Sequence, residues 1–133
     1  MVHGTHNAIK DDRNDHIKIY VNGELLLRSD AKISVFDSGY LVGDGVWEAV
    51  RLSKGTLIFI DDHLSRLWNA AKATGIQLPF TKQELTDIVY SILKINNMND
   101  GVHVRIMITR GIKKTPSQDP RLTISGPNLV IIP

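Results

Sequence analysis

Residues 36–51 read FDSGYLVGDGVWEAVR, a glycine-rich turn followed by a run with the two-residue alternation of a β-strand. Over Val46 to Ser53 the alternation sets Trp47, Ala49, Arg51 and Ser53 on one face, with Val46, Glu48, Val50 and Leu52 on the other. An aromatic wall, a small residue that leaves space beside it and a guanidinium are what an anionic, ring-bearing small molecule requires of a binding wall. The same residues equally describe a strand half buried under a helix, with Arg51 reaching solvent. Gly43 and Gly45 flank Asp44, and they serve a tight turn as readily as the close approach of a ligand.

Downstream, DDHLSRLWNAAKATG carries Arg66 three residues after His63, so on a helix the two share a face. A guanidinium beside helix N-terminal amides can grip a phosphate through paired hydrogen bonds. An ion pair with Asp62, one helical turn earlier, accounts for Arg66 equally well. His63 reads as a surface or packing histidine rather than a base. Arg105 lies in VHVRIMIT, in phase with His103 and Met107 and opposite Val104, Ile106 and Ile108. It belongs either to the solvent side of a strand or to a polar cleft, where a bidentate pair would hold a substrate carboxylate.

These residues need elements to position them. IKIYVNGELLL, starting at Ile17, alternates on both sides of Asn22-Gly23, the dipeptide that most favours a two-residue hairpin. A short extended piece is expected over Lys32 to Phe36. After the glycine turn, Val46 to Ser53 predicts a strand, Lys54-Gly55 its turn, and Leu57 to Ile60 the return. Asp61 is the expected N-cap of a helix over Asp62 to Thr74 that stops at Gly75. Thr81 and Glu84 form a capping box for a second helix running to about Asn96. Val102 to Thr109 and Leu129 to Ile132 predict two further strands, and the proline- and glycine-bearing stretch between them, from Gly111 to Asn128, predicts a loop. Strands, two consecutive helices and then strands give an α+β fold: an antiparallel-rich sheet with both helices on one face.

Composition narrows the function classes. A chain of 133 residues, 42% hydrophobic, is enough for about one domain. The apolar runs are too short for a membrane span. The charge of +2 and pI near 9.0 come from scattered lysines and arginines, not from the clustered footprint of a nucleic-acid partner. There is no cysteine, so disulfides, thiolate metal sites and a cysteine nucleophile are excluded together. No metal-ligand spacing and no serine–histidine–acid order occurs. Residues 1–16, polar and without an apolar core, are expected to be a loose tail rather than a signal peptide, and residues 17–133 the folded domain. The expected location is cytoplasmic.

Taken in order, FDSGYLVGDGVWEAVR, GTLIFIDDHLSRLWNAAKATGIQLPFTKQEL and NNMNDGVHVRIMITRG resemble the N-terminal part of the class IV aminotransferases, the fold-type IV pyridoxal-phosphate enzymes. That family includes branched-chain and D-amino-acid aminotransferases and aminodeoxychorismate lyases. The resemblance covers nearly everything from Ile17 to Arg110. It implies that Arg66, the arginine of the family's E/D-H-x-x-R-L helix, grips the phosphate of pyridoxal 5'-phosphate. It further implies that Tyr40, Trp47, Ala49, Arg51 and Arg105 shape the substrate side. Tyr40 and Val42 match positions in a loop that in this family often reaches the pocket of the neighbouring subunit.

Departures from the family pattern are informative. Trp47 stands where the family has Phe or Tyr, and its indole would narrow the pocket. Val42 and His103 stand where branched-chain enzymes carry tyrosine. Thr115 and Ser117 replace the Arg and His that D-amino-acid enzymes carry after T-R-G, against a specificity of that kind. The family's Schiff-base lysine lies in a C-terminal domain, and no lysine here has a matching context. No residue of the chain is thus assigned a catalytic role. The expectation is the N-terminal domain of a truncated enzyme, silent alone, whose intact form is a homodimer moving an amino group between an amino acid and a 2-oxo acid. The alternatives are an aminodeoxychorismate lyase and a non-catalytic dimerisation or small-ligand-binding module.

Overall fold

The computed structural model describes residues 9–133. Its centre is one six-stranded antiparallel sheet, in the order β2-β1-β6-β5-β3-β4. The strands are β1 (Lys18–Val21), β2 (Glu24–Leu27), β3 (Gly45–Ser53), β4 (Thr56–Leu57), β5 (Val102–Thr109) and β6 (Asn128–Ile132). The helices are α1 (Ser38–Val42), α2 (Ile60–Thr74) and α3 (Lys82–Ile95). The two predicted hairpins form at opposite edges, and β5 and β6 fill the space between them. The α+β layout with both long helices on one face is the one the sequence predicts.

Alternation decides which face is covered. Val50, Leu52, Val104, Ile106, Ile108 and Ile131 are buried under Leu64, Leu67 and Ala71 of α2 and Leu85, Val89 and Ile92 of α3. Each helix shows an apolar stripe at three- and four-residue spacing, so each buries one face. The Thr81–Glu84 capping box is complete: the Glu84 amide donates to the Thr81 hydroxyl at 3.1 Å, and the Thr81 amide donates to the Glu84 carboxylate at 2.7 Å. Gly75 ends α2 in the left-handed conformation. Asn22 and Gly23 both take positive φ, as the two-residue hairpin requires.

Some expectations fail for local reasons. The return strand is shorter than predicted: β4 is two residues, because Phe59 takes a left-handed conformation (φ 52°) and turns the chain into α2. Asp61 is therefore not the N-cap. The helix begins at Ile60 without a side-chain cap, and Asp61 and Asp62 lie in its first turn, where the helix dipole favours negative charge. Lys32 to Phe36, expected as a short extended piece, lies in no strand of the sheet. That segment leads instead to Asp37, which caps the short helix α1, an element the sequence did not predict. Of the expected loose tail, residues 9–16 are described. Asp12–His16 form a 3-10 turn, and Arg13 ties it down by pairing with Asp11 and donating to the Asp100 carbonyl at 2.8 Å. Residues 1–8 of that expectation lie outside the described residues.

Asp37 is wholly buried on the sheet side away from α2 and α3. Its Oδ1 accepts from the amides of Gly39 (2.8 Å) and Tyr40 (3.3 Å), and its Oδ2 from the Thr109 hydroxyl and the Asn128 amide (both 2.6 Å). Asn128 in turn accepts from Asn22 of the first hairpin at 2.9 Å. Gly39 is required here, since a Cβ would sit 2.6 Å from the Thr109 methyl. The loop after β5 has its own anchor: buried Lys113 donates through Nζ to the Asp119 carbonyl at 2.9 Å. Replacing Asp37 with Ala strands four donors at about 1–3 kcal/mol for each that stays buried and unpaired. Urea denaturation should therefore show a loss of about 3 kcal/mol or more; a loss under about 1 kcal/mol would remove Asp37 as the fold's polar hub.

Candidate functional site

The sequence-predicted residues gather around β3, but on its two faces. Trp47, Ala49 and Arg51 project from the open face, away from the helices, as the alternation predicts. Register sets Trp47 opposite Met107, Ala49 opposite Arg105, and Arg51 opposite His103. The Arg105 guanidinium lies over the Trp47 ring, 4.2 Å from its centre, a cation–π contact. The small side chain of Ala49 leaves room beside this stack. Among the described residues, neither Arg51 nor Arg105 forms a salt bridge with a carboxylate. The open face thus carries unneutralised positive charge beside an indole that is 58% exposed.

Arg66 is elsewhere. It comes off α2 on the covered face of the sheet and meets β3 at Glu48, which the strand alternation puts on that face with Val46 and Val50. Arg66 donates through Nε to Glu48 Oε1 and through Nη2 to Oε2, the latter at 2.8 Å. The His63 Nδ1 lies 2.8 Å from the same Oε2. The ion pair considered for Arg66 with Asp62 does not form; the partner is Glu48. The Glu48 side chain is 5% exposed and that of Arg66 is 72% exposed, so a buried carboxylate holds a cation whose far end is in solvent. The sequence did contain a signal for this: a carboxylate between Val46 and Val50 on an aliphatic face must find donors, and a helix carrying His63 and Arg66 follows directly.

Tyr40 lies on α1 and is 72% exposed, away from both clusters' hydrogen bonds. It belongs to an exposed apolar stretch with Val35, Phe36 and Val42. Gly43 is explained by its backbone conformation and Gly45 by packing, without a ligand. Gly43 ends α1 at φ 69°, and a Cβ on Gly45 would meet the Ile108 carbonyl oxygen at 2.8 Å. Asp44 between them pairs with Arg110, which also donates to the carbonyls of Thr74 and Gly75 at the end of α2. The open face also holds an apolar cavity of about 240 Å³ between the sheet and the segment leading to Asp37, lined by Ile19, Val21, Ile33, Met107, Val130 and Ile132 among others.

Glu48 and Trp47 are neighbours on one strand, and that strand is nearly an edge. β4 pairs only with Leu52 and Ser53. The Arg51 carbonyl accepts from Ile58, so by alternation the backbone groups of Ala49 and Trp47 point to the same open edge. The arginine at the covered face and the aromatic–cation pair at the open face therefore flank a bare strand edge.

The family model of class IV amino-transferases matches residues 45–127. The chain belongs to this family. A putative branched-chain-amino-acid aminotransferase of Methanocaldococcus jannaschii is 43% identical over 96 residues, covering 72% of this chain and 33% of the relative. A D-alanine aminotransferase of Staphylococcus haemolyticus is 37% identical over 95 residues, covering 71% and 33%. A solved branched-chain amino acid aminotransferase of T.th., complexed with N-(5'-phosphopyridoxyl)-L-glutamate, shares the fold with a TM-score of 0.75 at 22% identity, over 87% of this chain and 40% of that one. The chain spans about a third of the length of the curated relatives it matches. No helix among the described residues is long and apolar enough to cross a membrane.

Hydrogen bonds from Arg66, and next from His63, hold the Glu48 carboxyl below its ordinary range against the opposing effect of burial. A depressed folded-state value means that its stabilisation is complete above the unfolded-state value, about 4.3, and is lost as pH falls through the folded one. The stability difference between wild type and Glu48→Gln should thus be greatest near neutrality and shrink below about pH 5. Urea midpoints measured for both proteins from pH 7 to pH 3 give the test; a difference that stays constant across that range would show that Glu48 is not held ionised by this pair.

Proposed function

We propose that this chain is the N-terminal domain, from Ile17 onward, of a pyridoxal-phosphate-dependent aminotransferase. Its reaction is the transfer of an amino group between an amino acid and a 2-oxo acid in the cytoplasm. The observation that carries the reading is the Arg66 fork on α2, seated on a buried carboxylate with one bidentate edge open to solvent. That is a receptor for a phosphate. The T.th. relative of the same fold holds a phosphopyridoxyl group, in keeping with this.

The residues present fit such a cofactor. Arg66 would take the phosphate. Trp47 supplies a flat apolar surface, and Arg105, lying over that indole, is available to a substrate carboxylate, with Arg51 beside it adding positive potential. When bound, pyridoxal phosphate would supply the carbonyl that takes up the amino group and a ring that withdraws electrons. The residues of this chain bind and orient; none is assigned the covalent role. The exposed apolar stretch of Val35, Phe36, Tyr40 and Val42 suits a second copy of the protein and supports a homodimer with Tyr40 at the junction.

The experiment is an absorbance titration of the gene's full translation product with pyridoxal phosphate, followed by assays of amino transfer from several donors. Arg66→Ala should raise the Kd for the cofactor about 10- to 100-fold. Arg105→Ala should lower kcat/KM for carboxylate-bearing donors about 10-fold or more with cofactor affinity unchanged. Pyruvate release from aminodeoxychorismate without amino transfer would replace this reading with a lyase, and an absence of cofactor binding would leave a non-catalytic module.

A further inference from the structure

We propose that Glu48 is the positioning residue of the anion site: by occupying the Nε–Nη2 edge of Arg66, it turns the Nη1–Nη2 edge outward as the receptor for a phosphate. This rests on the reading of Arg66 as the phosphate anchor and adds the residue that makes that anchor a fixed one. A guanidinium has two bidentate edges. Glu48 engages the side edge with both oxygens, and the end edge remains for a second anion. The carboxylate itself has little freedom. It sits on β3, opposite Ile106 in the sheet, between two valines on the covered face, and takes a further contact from His63 Nδ1.

An arginine alone at an exposed helix position samples many rotamers, and a phosphate must order it on binding. Tied to a buried strand residue, Arg66 is ordered before the phosphate arrives. The alternative is that Glu48 competes with the anion by neutralising the arginine. The geometry favours positioning, since the occupied and the free edges differ. The two roles predict opposite signs: loss of the carboxylate charge should strengthen phosphate binding if Glu48 merely neutralises, and weaken it if Glu48 positions.

The test uses the 133-residue chain and inorganic phosphate, followed by NMR at the Arg66 Nε–Hε resonance. In wild type, phosphate should shift the Arg66 Nη signals saturably while Nε–Hε keeps the position set by Glu48. Collapse of Nε–Hε to a free-arginine position on phosphate addition would overturn the proposal, and this measurement needs no variant to fold. Glu48→Gln and Glu48→Asp, compared at a temperature where their spectra remain dispersed, should each bind phosphate about tenfold more weakly. Glu48→Asp keeps the charge but is one methylene too short, so it separates reach from charge. Affinity equal to or tighter than wild type in both variants would overturn the positioning role while Arg66→Ala still abolishes binding. No saturable shift in wild type, or no effect of Arg66→Ala, would instead remove the phosphate reading of Arg66 itself, and the role of Glu48 with it.

Discussion

A carboxylate buried without a cation constrains this fold more than any other group. Asp37 is fully enclosed and meets neutral donors alone, two backbone amides, a hydroxyl and a carboxamide. Burying an unpaired charge is expensive unless its oxygens are saturated, so the elements that supply those donors are locked together. They are α1, the end of β5 and the start of β6, and Asn128 extends the network to the hairpin turn at Asn22. The glycine-rich segment cannot move relative to the sheet without stranding this charge. Its closeness to Thr109 also explains why position 39 has no side chain.

Glu48 solves the same problem in another way. It too is buried, but its donors are the Arg66 guanidinium and the His63 imidazole. A pair between a buried anion and a largely exposed cation adds little to stability beyond the avoided desolvation, because solvent screens the cation. A hydrophobic residue at position 48 would pack against Ile106 and the helices at no such cost. The arrangement has its value in what it does to the arginine, which keeps one edge for solvent or a ligand. Asp37 looks inward and closes the fold, whereas Glu48 holds a group that looks outward.

The legible parts of the structure were those that local physics dictates. Asn22-Gly23, the Thr81–Glu84 box, Gly75 and the alternation in β3 and β5 each carry their signal within a few residues, and each formed as read. The sorting of Trp47, Ala49 and Arg51 from Glu48 and Val50 was legible for the same reason. What the sequence hid depends on partners distant along the chain. Asp37 finds Thr109 and Asn128 more than seventy residues away, so α1 could not be told from a turn. Arg66 had a plausible partner one helical turn away in Asp62, and only the sheet brings Glu48 within reach. Phe59 was hidden for another reason: nothing in an aromatic residue announces a left-handed backbone, which is strained for a bulky side chain and is held here by the helix that follows.

The two clusters lie on opposite faces of β3, which limits how one ligand could meet both. A molecule resting flat on the open face would touch Trp47 and Arg105 but not Arg66, since the sheet intervenes. A molecule running along the strand edge has access to both sides. That edge is free at Trp47 and Ala49, short of the Arg51 carbonyl that pairs with Ile58, because β4 ends after two residues, and it ends there because Phe59 turns the chain into α2. The same turn starts the helix that carries His63 and Arg66. One backbone conformation therefore opens the edge and delivers the cation beside it. Extending β4 to pair along β3 would close the edge and carry α2 away with it. The short strand, the strained residue and the position of Arg66 are for this reason a single structural feature.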